Sequence, residues 1–148
     1  MIDYPRILFP LDLSHAAPKV AKHVVSVAQK YDAQVHVVYV IPSYHGPTFP
    51  SYDKVMGEIK ERTITAIDDF VDEHLQDLAR IEVHVAIGHT GRRILAYVDK
   101  HDISLVIMGT HGHSGVGKLF FGSVAQRVVQ SSPVPVMTVH PVEAKTAD

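Results

Sequence analysis

Two hydrophobic periods alternate along this chain, and that alternation constrains its fold more than any other feature. Five short runs of apolar, mostly β-branched residues occur at Arg6–Leu11, Gln34–Ile41, Ile81–Ile87, Ile103–Met108 and Val134–Val139. Continuous runs of this length fit strands buried on both faces, as in a parallel sheet. The segments between them carry apolar residues at three- and four-residue steps. Ala17, Val20, Ala21, Val24, Val27 and Ala28 share one helical face behind Ser14 as an N-cap. Val55, Met56, Ile59, Ile67, Phe70, Val71, Leu75 and Leu78 mark a long helix that starts at Asp53. Ile94, Leu95 and Val98 mark a third, capped by Thr90, and Ser123–Gln130 a fourth. The order β-α-β-α-β-α-β-α-β predicts one doubly wound open α/β sheet of five parallel strands, with helices on both faces. Right-handed crossovers give the strand order 3-2-1-4-5. Ligands of such sheets bind beyond the carboxyl ends of the strands, at the switch point between strands one and four. Asp12 follows the first of these strands and Gly109 ends the fourth.

At 148 residues the chain reads as one domain over 1–142 with a polar tail over 143–148. A hydrophobic share of 46% against 20% charged residues describes a globular chain. A net charge of -2 provides no bulk positive field, so no nucleic-acid partner is expected. With no cysteine, disulfides, thiolate metal sites and cysteine catalysis are excluded. No apolar run approaches the ~18 residues of a membrane span, and the N-terminus lacks signal-peptide features. A cytoplasmic protein without membrane insertion is the expectation.

The segment from Gly109 to Gly122 carries most of the chemistry. It holds Gly109, Gly112, Gly115, Gly117 and Gly122, directly after the most uniformly apolar strand. Glycines let the backbone approach a phosphate closely, and a helix N-terminus presents unpaired amides to an anion. Gly122-Ser123 opens the last helix, so an anion can rest there. Gly112-x4-Gly117-Lys118 looks like a P-loop, but Leu119 stands where a magnesium-binding Ser or Thr is required. GxGxxG is absent, which argues against a dinucleotide.

The spacing Gly109-x2-Gly112-x9-Gly122-Ser123 resembles the motif of the universal stress protein family, in its ATP-binding branch. The resemblance extends to Ile7–Ser14, Val38-Tyr-Val40, Val106–Gly109 and Pro133–Val136. It implies ATP as ligand, with Mg (or Mn) held through the phosphates and not by protein side chains. It places Pro10, Asp12 and Val40 at the adenine, Met108 and Gly109 under the ribose, and Gly112, Gly122, Ser123 and Val124 around the phosphates. Ala125 stands where some members carry a hydroxyl, which removes one phosphate contact. His111 and His113 fall on the phosphate side without a role in the motif. The resemblance also implies a homodimer through strand 134–139, whose Pro135 suits a sheet edge.

Other readings of single residues are weaker. Asp12 can end a strand, or accept hydrogen bonds at the base end of a ligand. Arg92 and Arg93 are solvated, or supply charge to a partner. His36 and His84 alternate with valines and read as packing residues. The 11 histidines include His111 and His113 close together, with His15 across the cleft, but nothing completes a zinc set. No Ser-His-Asp set can be argued from spacing and GxSxG is absent. Three functions fit these residues: a nucleotide-dependent sensor with an unidentified protein partner, a slow ATPase at the same site, or a nucleotide-free interaction protein.

Overall fold

The computed structural model describes residues 1–43, 50–111 and 122–140. Five parallel strands, β1 (Arg6–Pro10), β2 (Gln34–Pro42), β3 (Ile81–Gly88), β4 (Leu105–Gly109) and β5 (Val136–Val139), form one sheet in the order β3-β2-β1-β4-β5. Four helices connect them: α1 (Ala17–Tyr31), α2 (Tyr52–His74), α3 (Thr90–Lys100) and α4 (Ser123–Ser131). The register sets Ile7 against both Val35 and Leu105, so β1 lies at the centre of the sheet.

Alternation along the strands divides the core in two. Ile7, Phe9, Val35, Val37 and Ile107 face α1 and α2, where they meet Val20, Val24, Ile67 and Phe70. Leu8, Val38, Val40, Val106 and Met108 face the other way, onto Ile94, Val98 and Val128 of α3 and α4. The central strands are buried on both sides, which is why they read as unbroken apolar runs. The edge strand β3 is largely half-exposed, with Val83 39% exposed.

Helix and strand ends depart from the expected boundaries for local reasons. Ser14 does not cap α1; the N-cap is Ala16, with Pro18 pre-setting the first turn. The Ser14 N–H instead donates to Asp12 Oδ1 (2.9 Å), a side-chain turn closing the chain after β1. Thr90 is the first residue of α3, and the cap before it is His89, whose Nδ1 accepts from the Arg92 amide at 3.4 Å. α2 stops at His74 because Leu75 leaves the helical conformation to lie fully buried in the core. β4 starts at Leu105, with the Ser104 N–H bound to the Arg6 carbonyl of β1 (2.9 Å) just before it. β5 starts at Val136, not Val134. Pro135 accepts from the Val106 amide (3.0 Å) but cannot donate, and Val134 is tied back to Ser132.

Candidate functional site

The carboxyl ends of β1, β2 and β4 enclose a cavity of about 490 Å³ with the first turns of α3 and α4. Its floor is apolar. Val38, Val40, Ile94, Met108 and Ala125 are each at most 6% exposed. Its rim is polar: Asp12, Tyr39, Thr90, Thr110 and Ser123. Apolar walls with a few placed polar groups are what a small-molecule site needs.

The β1 side is a tight turn. Leu13 sits in the left-handed region at φ 57°, a conformation that costs a non-glycine residue about 1–2 kcal/mol. The Asp12–Ser14 bond holds that turn and sets the Asp12 carboxylate on the cavity wall. Burial, and then the Asp12 charge, push the Tyr39 phenol above its usual range, so it keeps its proton. An acceptor and a donor therefore share this end of the cavity.

The β4 side is a backbone cradle. The Thr110 N–H donates to Val139 O (3.1 Å), and the Gly122 N–H to Thr110 O (2.7 Å). These bonds fix the start of α4 beside the end of β4. A side chain at Gly122 would place its Cβ 3.2 Å from Thr110 O, a tight contact, so glycine lets the two backbone segments approach closely. Gly122 is the N-cap of α4 and, as glycine, brings no side chain to close that turn. The amides of Ser123, Val124 and Ala125 have no partner within the helix, and they lie at its positive dipole end. This donor set fits a phosphate group. Among the described residues, no group of three or more His, Asp or Glu could hold a metal ion.

Pro10, Asp12, Val40, Met108, Gly109, Gly122, Ser123 and Val124 all line this one cavity. Gly112 and His113 lie outside the described residues. His111 stands beside the cradle and does not line the cavity. It is buried, its Nδ1 is 2.8 Å from Thr110 Oγ1, and its ring is 5.6 Å from that of His140. Ala125 turns into the core as well as the cavity floor. Sequence reasoning missed Tyr39, Thr90, Ile94 and Thr110. Ile94 and Thr90 had obvious local explanations, a helix face and a cap, which concealed their place on the wall. A second cavity of about 740 Å³ adjoins the first across Thr90 and Ser123. Arg127 lines it, with its stem against Gly91.

The sequence profile of the Universal stress protein family matches residues 3–140. A universal stress protein of Methanocaldococcus jannaschii is 28% identical over 139 residues, which covers 92% of this chain and 82% of that protein. Universal stress protein UspA from Lactobacillus plantarum superposes with a TM-score of 0.81 at 23% identity, covering 94% of this chain and 99% of that one. The universal stress protein from Archaeoglobus fulgidus in complex with dAMP superposes with a TM-score of 0.63 at 24% identity, covering 93% and 98%. The two superpositions show a shared fold.

Proposed function

This chain belongs to the universal stress protein family, and on that premise we propose that it is a regulatory module that binds an adenine nucleotide at the switch point of its sheet. One observation carries this reading. Residues far apart in sequence, Asp12, Val40, Met108 and Gly122, meet at one cavity whose far end is the uncapped N-terminus of α4. The relative in complex with dAMP supports the ligand class.

In this proposal the base lies at the Pro10–Asp12 and Val40 end. Asp12 accepts from an exocyclic amine, and the apolar floor covers the ring. The ribose lies over Met108 and Gly109, and the phosphates meet the amides of α4. The ligand is ATP with Mg (or Mn) carried on its phosphates, since among the described residues Asp12 is the one carboxylate lining the cavity. No residue set is assigned to hydrolysis. A bound ligand at a hundredfold excess over Kd stabilises the folded state by about 2.7 kcal/mol, enough to couple nucleotide level to the lifetime of a partner surface.

That surface includes β5, proposed as the seam of a homodimer. β5 pairs with β4 alone among the described strands, and Met137 is 38% exposed on it. An unpaired apolar edge is an aggregation hazard unless a second chain covers it. The protein partner and the cytoplasmic setting belong to the same proposal. No helix of the described residues is long and apolar enough to cross a membrane.

Mass spectrometry of small molecules released by denaturing the purified protein tests the ligand. Calorimetric titration with ATP, ADP and AMP then ranks the phosphates. An adenine nucleotide recovered in near-stoichiometric amount is the expected result. Recovery of none, with no heat on titration, leaves the nucleotide-free interaction protein as the reading.

A further inference from the structure

One helical turn beyond the cleft wall, toward the amino ends of β2 and β3, α3 meets the sheet through ionisable rings. His36 of β2 is only 3% exposed. Its Nδ1 lies 2.8 Å from Tyr97 Oη and 3.4 Å from Glu82 Oε2, and its Nε2 is buried with no hydrogen-bond partner among the described residues. His101, the C-cap of α3, stacks on Tyr97 with ring centroids 3.8 Å apart and planes at 20°. The His101 ring is also 6.0 Å from that of His36. His84 of β3 approaches Tyr97 at 5.4 Å. Imidazoles from β2, β3 and the end of α3 thus surround one phenol, with Glu82 as the nearest carboxylate.

We propose that this cluster is a proton-operated clasp: neutral rings fasten the C-terminal half of α3 to β2 and β3, and proton uptake at His36 loosens it. The Tyr97 phenol is pushed up to about 12 by burial and by Glu82, so its hydroxyl keeps a proton to donate. Neutral His36 accepts that proton's hydrogen bond at Nδ1 and carries its own hydrogen on Nε2. A second proton must enter at Nδ1, the atom that holds Tyr97. The Tyr97 O–H then loses its acceptor, Nδ1–H turns to the Glu82 carboxylate, and a buried ring becomes charged.

The groups around His36 set the direction. Burial pulls His36 below 6.5, Glu82 opposes this, and His101 and Arg6 add to it. His84 is also pulled down, by burial and then by His101, Lys100 and Lys60, with Glu82 opposing. The unfolded chain therefore takes up these protons first as pH falls. The stability they contribute is complete above 6.5 and is lost below it, until the folded rings themselves titrate. Tyr97 shares α3 with Thr90 and Ile94, which line the cleft, so loosening reaches one wall of that cavity.

Hydrogen exchange of the full chain without added nucleotide, read by mass spectrometry at pH 7.5 and 5.5 and corrected for intrinsic rates, tests the clasp. Peptides covering α3 are expected to lose about tenfold in protection at the lower pH, the scale of one buried hydrogen bond, and more than peptides of α1. In His36→Gln the amide oxygen still accepts from Tyr97 but cannot take a proton, so the α3 loss shrinks below about threefold. Equal losses in α1 and α3, or in wild type and variant, overturn the proposal. Ring NMR of the wild type gives a reading that needs no variant. His36 must titrate below 6.5, with the Tyr97 ring signals moving in step; a titration at or above 6.5, or a silent Tyr97, overturns it equally.

Discussion

The two ends of α3 are built on opposite terms. At its first turn Thr90 and Ile94 border an open cavity of about 490 Å³. There the α4 amides lack a side-chain cap, and Leu13 holds a left-handed conformation. At its last turn Tyr97 and Val98 are buried, at 6% and 3% exposure, and the Tyr97 hydroxyl is bound to His36. A helix can border an open cleft when its other end is firmly packed. The cost of the open end, one strained residue, is about 1–2 kcal/mol. Packing on both faces of the sheet outweighs it.

The largest test of that comparison lies on the face away from α3. Phe9 is 1% exposed, and its ring sits 6.2 Å from that of Phe70. Phe9→Ala removes the largest fully buried side chain and leaves a cavity, so it should cost about 3–5 kcal/mol. A urea midpoint that falls by the equivalent of less than about 1.5 kcal/mol would show that the scaffold under the cleft is anchored elsewhere.

A smaller effect, confined to the open end, is expected at Gly122. Gly122→Val sets carbon atoms against Thr110 O and into the cradle. ATP affinity should fall at least about a hundredfold, or 2.7 kcal/mol, in calorimetric titration. Thermal unfolding should move far less than in Phe9→Ala, since the Gly122 backbone dihedrals, φ -61° and ψ 158°, suit any residue. Equal affinities would remove this loop from the phosphate site, and a collapse of stability would make Gly122 structural.

How much of this was legible in the sequence follows from how local each cause is. The strand order 3-2-1-4-5 follows from period and connection rules, and the chain obeys both. The convergence of Asp12 and Gly109 on one cavity follows from that order alone. The helix caps were misread because His89 caps with a ring nitrogen, while Ser14 and Thr90 are the usual capping types in the wrong geometry. Of the two histidines read as packing residues, His36 is buried but His84 is exposed on the edge strand, and the partner of His36, Tyr97, lies 61 residues on, on the inner face of α3. No period or motif relates the two. Ile94 is a core residue and a cleft wall at once, and only the closed fold separates those roles.

At the closed end, Tyr97→Phe keeps the ring stack and removes one hydroxyl. Loss of its bond to His36 should cost about 1 kcal/mol in urea unfolding at pH 7.5. The cost should shrink toward pH 5.5 as His36 takes up a proton, since protonated His36 no longer needs that donor. A cost that is the same at both pH values would mean that Tyr97 acts through packing alone.

The smallest effect on the fold is expected at Met137, beside the open end. Met137 is 38% exposed on the edge strand, and its neighbour Val139 receives the Thr110 amide that shapes the cradle. Lysine is well tolerated on an exposed edge and repels a second edge. Met137→Lys should therefore change the stability of the isolated subunit by no more than about 0.5 kcal/mol. Across a twofold antiparallel seam, however, each partner would bring its own new ammonium group against the other, in surroundings that exclude water. Light scattering should report a dimer for the wild type and a monomer for the variant. The Val139–Thr110 bond and the Gly122–Thr110 bond lie within one chain, so the cradle does not depend on the seam. ATP affinity of the monomeric variant should thus stay within about threefold of wild type, under 0.7 kcal/mol. An unchanged dimer would move the interface off β5. A monomer that also loses ATP by a hundredfold would show that the open end of α3 is completed by the second chain, and that packing within one subunit is not enough to hold it.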